Sequence, residues 1–460
     1  MSFLVMDVAQ WAQEQFGSCR LGNIARTRRA VKVAVQFASI PDASTPDQIE
    51  RWSDLKAAYH LFDQEDVTFT ALAEPHWEQT RALATGTCLL ISDTTETNFG
   101  GGRRQVTGLK RTLKGNNQGF MLHSSLMIQA ETREVIGIAG QELFYRKPRK
   151  NPKETYYCRM QRDRESQVWG RLIDRVGVPA PNVKYLHVCD RGADNTEVFY
   201  HCRDQQSGWV IRAAQLHRRG ETPDGCRVKL SDWLADQPVL GTYEMSVRAT
   251  EKTKARIARL EVRAAPFVLT LPKQKSPYLK KVSPQKLAEW VIDAREINPP
   301  RGATPVRWVL HTSEPASTFE KAWQILEYYE ARWMIEEFHK CLKTGCRLES
   351  RLYETAARLE AVAGMLSVLA VRLLQMKTIA RRQPDLPAEH VVPKPWLDML
   401  RALRQRPIHT INDFMRHLAG LGGFLMRKGD GEPGWITIWR GLKKLLLCLR
   451  GARAVRRKLG

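Results

Sequence analysis

The chain has 460 residues, enough for about two to four domains and at least one sizeable core. Its 72 Lys and Arg stand against 49 Asp and Glu, and the net charge of +23 points to a polyanionic partner, nucleic acid first, rather than a small neutral ligand. Nine scattered cysteines without a C-x-x-C pair argue against a disulfide scaffold or a structural zinc site.

No basic segment followed by an apolar run opens the chain, so a cytoplasmic protein is expected. From Phe3 to about Leu72 the pattern is helical and basic. Its centre, IARTRRAVKVAVQFA, puts Arg26, Arg28, Arg29 and Lys32 on neighbouring turns beside the apolar contacts Val31, Val33, Val35 and Phe37. DASTPDQIERW then supplies cap residues and a proline before another helix. These features suggest a helical DNA-binding domain over residues 1–72, with Arg26 and Arg29 as its phosphate contacts. A solvated helix face would carry the same pattern.

The middle of the chain alternates strands and helices, the mark of an α/β core. Cys88–Ser92 is a short apolar run that stops at Asp93. Phe120–Ile128 and Val135–Tyr145 read as two strands joined by a polar turn. Arg164–Val176 is helical, and Val183–Cys189 is a buried strand that stops at Asp190. A helix from Asn195 and a strand Trp209–Ala213 follow. From about 220 to 312 the texture changes to strands without intervening helices, which predicts a β-rich insertion. Ser317–Lys343 reads as one long helix. The remainder is helical to a basic amphipathic end at Trp435–Leu459, broken by the proline-rich stretch Pro384–Pro395. The most apolar stretch, Ala361–Val371, is shorter than the ~20 residues a bilayer requires and reads as a buried helix, so no membrane partner is expected.

Two features carry chemistry. Buried strands deliver an aspartate at their C-terminal ends, in LLISDTTET and LHVCDRGAD, the edge at which α/β sheets bind ligands. Either aspartate alone caps a turn equally well. In YYEARWMIEEFHKCLKTG, at ~100° per residue, Tyr329, Arg332, Glu336, Lys340 and Lys343 share one polar arc opposite Met334, Ile335, Phe338, Cys341 and Leu342. An exposed face with i, i+4 ion pairs would look the same.

With these residues in place, the chain resembles the bacterial transposases of the insertion-sequence-four family. The match runs from about Trp11 to the C-terminal helix. It is strongest in EINPPRGATPVRWVLHTSEP and in the Tyr-x-x-Arg-x-x-x-Glu-x-x-x-x-x-x-Lys signature of Tyr329, Arg332, Glu336 and Lys343. The resemblance implies an α/β fold with an RNase H-like catalytic core over residues 73–372. It further implies a β-rich insertion at about 220–312 and a helical C-terminal dimerisation region at 373–460.

Asp93, Asp190 and Glu336 become the catalytic, metal-holding carboxylates, with two Mg²⁺ or Mn²⁺ ions per site. Hard divalent ions prefer such oxygen donors. Tyr329, Arg332, Lys340, Lys343 and Arg212 become DNA contacts, and Trp308 the aromatic that receives a flipped base. The partners implied are transposon inverted-repeat ends, target DNA and a second copy of the chain. The implied function is cut-and-paste DNA transposition through a hairpin intermediate. A non-catalytic DNA-binding relative and a repair nuclease on the same core are the rival readings. All three carboxylates are present, which favours the enzyme. The tyrosine–arginine signature and Trp308 disfavour the nuclease.

Overall fold

The computed structural model describes residues 8–100, 106–112, 117–147, 153–247, 255–427 and 429–459; the first residues of the expected N-terminal helix, 3–7, lie outside these. The chain divides into two compact units. One comprises Met1–Gln79, Glu96–Met121 and Glu337–Gly460, the other Thr80–Thr95 and Leu122–Glu336.

The second unit is built on an eleven-stranded sheet. Its first five strands are β1 (Gly86–Glu96), β2 (Met121–Gln129), β3 (Val135–Phe144), β4 (Val183–Cys189) and β5 (Gly208–Arg212). They are ordered β3-β2-β1-β4-β5, with β1, β4 and β5 parallel. This is the RNase H-like arrangement expected. Cys88–Ile91 and Leu186 are fully buried, because the sheet is covered on both faces there. Helices α5 (Val168–Val176) and α6 (Thr196–Asp204) carry the crossovers that parallel strands require. Trp169, Ile173, Val198 and Phe199 pack with Cys189 and Ile211 in one core cluster.

The insertion continues the same sheet rather than forming a separate one. Its strands are β6 (Arg219–Glu221), β7 (Arg227–Lys229), β8 (Gly241–Val247), β9 (Arg256–Thr270), β10 (Lys286–Glu296) and β11 (Arg307–Thr312). β11 pairs antiparallel with β5 through Leu310↔Arg212, and the order runs on through β10, β9, β6 and β7, with β8 on β9. One departure from the expected helix-free insertion is the turn-and-a-half Leu230–Ala235, whose Leu230 and Leu234 are buried in the core beneath β9.

The first unit is helical. α1 (Val8–Phe16), α2 (Ile24–Ser39), α3 (Trp52–Phe62) and most of α4 (Phe69–Ala82) make its N-terminal part. Asn23 caps α2 by accepting from the Arg26 amide, and Phe37 stacks on Phe62 at 6.5 Å. Arg351, only 2% exposed, donates to Gln48, to the Pro41 carbonyl and to the Cys346 carbonyl, tying this part to the chain after the signature. α9 (Ala356–Arg382) is 27 residues long, more than the apolar stretch suggested, and 94% of its most apolar window is buried inside the protein. α10 (Lys394–Arg404), α11 (Ile411–Leu421) and α12 (Trp435–Leu459) follow. A Cβ on Gly441 would lie 1.7 Å from the Leu418 carbonyl oxygen, so α11 and α12 meet backbone to backbone.

Candidate active site

Two neighbouring parallel strands bring the aspartates together. β1 and β4 run in register from Gly86↔Val183 to Ser92↔Cys189, so Asp93 and Asp190 come next, side by side, one strand spacing of about 4.8 Å apart. β4 stops at Cys189, as expected. β1 instead continues to Glu96, so Asp93 lies inside a strand and not at its end. The apolar run ends there because one neighbour, β4, has ended; β2 still flanks β1 on its other side. The Asp93 carboxylate accepts from the Thr94 amide at 2.7 Å, and Asp190 caps the turn Arg191–Ala193 by accepting from the Gly192 amide at 2.8 Å.

The third carboxylate comes from a helix that is not continuous. α7 (Phe319–Glu330) ends in a turn at Ala331–Arg332, α8 (Trp333–Lys340) begins anew, and a wide π turn follows at Cys341–Gly345. The tight Arg332 N–H to Tyr329 C=O bond (3.0 Å) and the wide Cys346 N–H to Cys341 C=O bond (2.8 Å) change the rotation per residue on both sides of α8. The single arc expected for five side chains therefore breaks.

Tyr329, Arg332 and Glu336 remain with the aspartates. Lys340 turns to Glu337 at 3.1 Å, and Lys343 bonds the Glu96 carbonyl and pairs with Glu349 at 3.3 Å. Neither lysine has Glu336 as an ion-pair partner among the described residues.

Arg332 joins what remains. Its Nη2 donates to Glu336 Oε1 at 2.7 Å, and its Nη1 lies 3.6 Å from Asp93 Oδ2. Burial pushes the Asp93 carboxyl up to about 6; the Asp190 and Glu336 charges push the same way, and the Thr94 amide and Arg332 oppose them. A raised carboxyl amid like charges is the electrostatic condition that a divalent cation relieves, and the donors are hard oxygens. As they stand, no three His, Cys, Asp or Glu side chains among the described residues are gathered closely enough to hold an ion. The donor set fits Mg²⁺ or Mn²⁺ once Glu336 is released from the guanidinium.

Around these groups sit the aromatic and basic side chains. Tyr329, 4% exposed, accepts from Arg212, whose Nη2 also donates to the Arg307 carbonyl at 3.0 Å. Burial raises the Tyr329 phenol against the pull of Arg212 and Arg332. Trp308, on β11 opposite Ala294, is half-buried and meets Tyr329 edge to face at 5.3 Å. Its other side borders a cleft of about 230 Å³ shared with Tyr243, Trp323 and Glu330.

Three residues escaped the sequence reading. Arg191, exposed and next to Asp190, lines a cavity of about 280 Å³ with Arg212 and Arg307; the signal was its place in CDRGAD. Trp333, 43% exposed, follows Arg332 directly, an aromatic beside a cation in ARWMIEE. His123 bonds the Thr94 hydroxyl at 2.7 Å and packs on Trp169 at 4.4 Å, a neighbour that no local pattern announces. A larger cavity, about 860 Å³, lies in the insertion among Arg218, Arg227, Lys229, Trp233 and Lys273. None of the three carboxylates lines it. The carboxylate cluster is therefore the better candidate for the chemistry.

In the N-terminal helices the expected phosphate contacts are engaged internally. Arg26 pairs with Asp66 at 2.8 Å and bonds Gln64, and Arg29 pairs with Asp54 at 2.9 Å. Arg28 is exposed and has no partner among the described residues.

Three family models match the chain: Transposase DNA-binding over residues 8–67, Transposase DDE domain over 163–373, and Transposase Tn5 dimerisation domain over 368–459. The DDE match includes Asp190 and Glu336 and begins beyond Asp93. Among solved structures, a piggyBac transposase synaptic complex with hairpin DNA aligns over 96% of this chain and 82% of its own, at 11% identity and a TM-score of 0.36.

Proposed function

We propose that this protein, a DDE transposase with its own DNA-binding and dimerisation domains, moves a DNA element by cutting at its inverted-repeat ends and joining the freed 3′ ends to target DNA. The observation that carries the proposal is that Asp93 and Asp190 lie side by side on or just past adjacent parallel strands, while Glu336 on α8 shares the Arg332 guanidinium with Asp93. Within the insertion-sequence-four family, the block EINPPRGATPVRWVLHTSEP and the match to the Tn5 dimerisation domain favour kinship with the transposase of the kanamycin-resistance composite transposon.

A DDE domain works with divalent metal. Two Mg²⁺ or Mn²⁺ ions held by Asp93, Asp190 and Glu336 would activate a water and stabilise the leaving 3′ oxygen. The chain's own residues do the rest. Arg212, Arg191 and Arg332 offer guanidiniums to the phosphates on either side of the scissile bond. Tyr329, fixed by Arg212 and packed against Trp308, sets where the backbone must lie.

After the first nick, the free 3′ hydroxyl has to reach the opposite strand of the same duplex to form the hairpin. Intact stacking forbids that reach. Trp308, bordering a cleft, would accept an extruded base there, its stacking worth ~1–3 kcal/mol against an unstacking cost of a few kcal/mol.

The test is a time course of nicked, hairpin and excised products on denaturing gels, using the DNA that flanks the coding region as end substrate. Asp93→Ala, Asp190→Ala and Glu336→Ala are expected to bind the end DNA and cut none of it. Trp308→Ala is expected to nick normally and hairpin slowly, with an abasic site at the flipped position restoring part of the rate. Nicking at the normal rate by any of the three carboxylate variants would overturn the proposal.

A further inference from the structure

Arg332 is more than a phosphate contact held in reserve. Its guanidinium reaches two of the three carboxylates at once, Glu336 at 2.7 Å and Asp93 at 3.6 Å, and its side chain is only 21% exposed. It stands on the two-residue break between α7 and α8, where the backbone is pinned by the Tyr329 carbonyl but the long side chain is not part of either helix face. In this arrangement Glu336 is spent on an arginine and no three acidic side chains among the described residues are gathered for an ion.

We propose that Arg332 is the resting counter-ion of the catalytic site, excluding divalent metal from Glu336 and Asp93 until a DNA phosphate draws the guanidinium away. This rests on the reading of Asp93, Asp190 and Glu336 as the metal-holding set.

The physical argument is one of competition. A divalent ion needs direct carboxylate oxygens at short range, and the Glu336 oxygen it needs is already accepting a charge-assisted hydrogen bond. The two cations cannot both use it. A phosphodiester offers the planar guanidinium a matched, charged partner, so DNA that seats beside Tyr329 competes for Arg332 and frees Glu336. The coupling is reciprocal: whatever factor DNA adds to metal affinity, metal adds to DNA affinity. A nuclease so built stays unloaded in free solution and arms itself on DNA. A cation that merely stands nearby would repel the metal by its charge alone, an effect that Arg332→Lys would keep, and a structural prop for Glu336 would lower metal affinity on removal. A competitor for the Glu336 oxygen raises it in Arg332→Lys as well as in Arg332→Gln.

The experiment titrates the full-length protein, without DNA, with Mn²⁺ at fixed ionic strength, following bound ion by calorimetry and by the loss of the free-ion electron paramagnetic resonance signal. Arg332→Gln is expected to bind Mn²⁺ at least ~5-fold more tightly than wild type, the lower end of ordinary coupling. Arg332→Lys, which keeps the charge without the fork, is expected to shift the same way by less, and serves if the glutamine variant does not fold. The tightened binding should vanish in Arg332→Gln/Asp190→Asn. Equal or weaker binding by folded Arg332 variants, while Asp190→Asn still abolishes it, overturns this inference alone. Binding that ignores Asp190→Asn in every background overturns the metal assignment with it.

Discussion

Asp93 shows most clearly what the proposed catalytic arrangement costs a single residue. Its carboxyl is raised to about 6 by burial first and by the neighbouring Asp190 and Glu336 charges, so the native state holds a proton there that the unfolded chain gives up near its ordinary value of 3.8. Between those two pH values the native state binds more protons than the unfolded one, and stability therefore falls as pH rises through the window. Above pH 6 the penalty is complete and amounts to roughly 1–3 kcal/mol, since each pKa unit is worth about 1.4 kcal/mol and the group is partly solvated. Asp93→Asn is expected to raise the melting temperature of the metal-free protein at pH 7 and to leave it unchanged at pH 3.5, by differential scanning fluorimetry in a chelating buffer. A lower melting temperature at pH 7 would mean that Asp93 is a structural partner rather than a strained ligand.

At the scale of elements, the loop after β4 must hold Asp190 in place, and Asp194 does this. Its fully buried carboxylate accepts from the Ala214 and Gln215 amides at 2.7 and 2.9 Å and pairs with Arg218, tying the β4 loop to the segment after β5. Asp194→Ala leaves a nearly buried guanidinium and two amides without partners, and about 3–5 kcal/mol of unfolding free energy should be lost in urea titrations. A loss under 1 kcal/mol would show the loop to be held elsewhere. The core strands were legible from sequence because Cys88–Ile91 is a continuous apolar run and Tyr185–Cys189 is apolar apart from His187, which is what strands buried on both faces require. The break at Ala331–Arg332 and the π turn after Lys340 were not legible. No glycine or proline marks the first, Gly345 only closes the second, and each is decided by which carbonyl a given amide finds. Tyr329, Arg332 and Glu336 lie beside the aspartates, while Lys340, still in register with Glu336 on α8, pairs with Glu337, and Lys343, inside the π turn, turns to Glu96 and Glu349. Arg26 and Arg29 looked free in a helical pattern because Asp66 and Asp54, their partners, lie 40 and 25 residues away.

The whole molecule carries +23, a surplus that pairing with its own acids leaves in place, and it has to meet DNA through many weak phosphate contacts. Affinity for the end duplex should fall steeply with salt. Arg28→Glu, at an exposed position without a partner among the described residues, should lower the slope of log K against log[salt] by about 1 without changing stability. Fluorescence anisotropy at several salt concentrations reads this, and a flat response would contradict a phosphate-dominated interface. The central claim is that Asp93, Asp190 and Glu336 hold the metal that cuts DNA, and a change of metal preference tests it most directly. Mg²⁺ takes hard oxygen ligands and shuns thiolate, whereas Mn²⁺ tolerates softer donors. The measurement is the rate of end cleavage by Asp190→Cys in each ion, beside Asp190→Ala. The account predicts a cysteine variant inactive in Mg²⁺ and measurably active in Mn²⁺, with the alanine variant inactive in both. Equal activity of the cysteine variant in the two ions, or cleavage by the alanine variant, would contradict it.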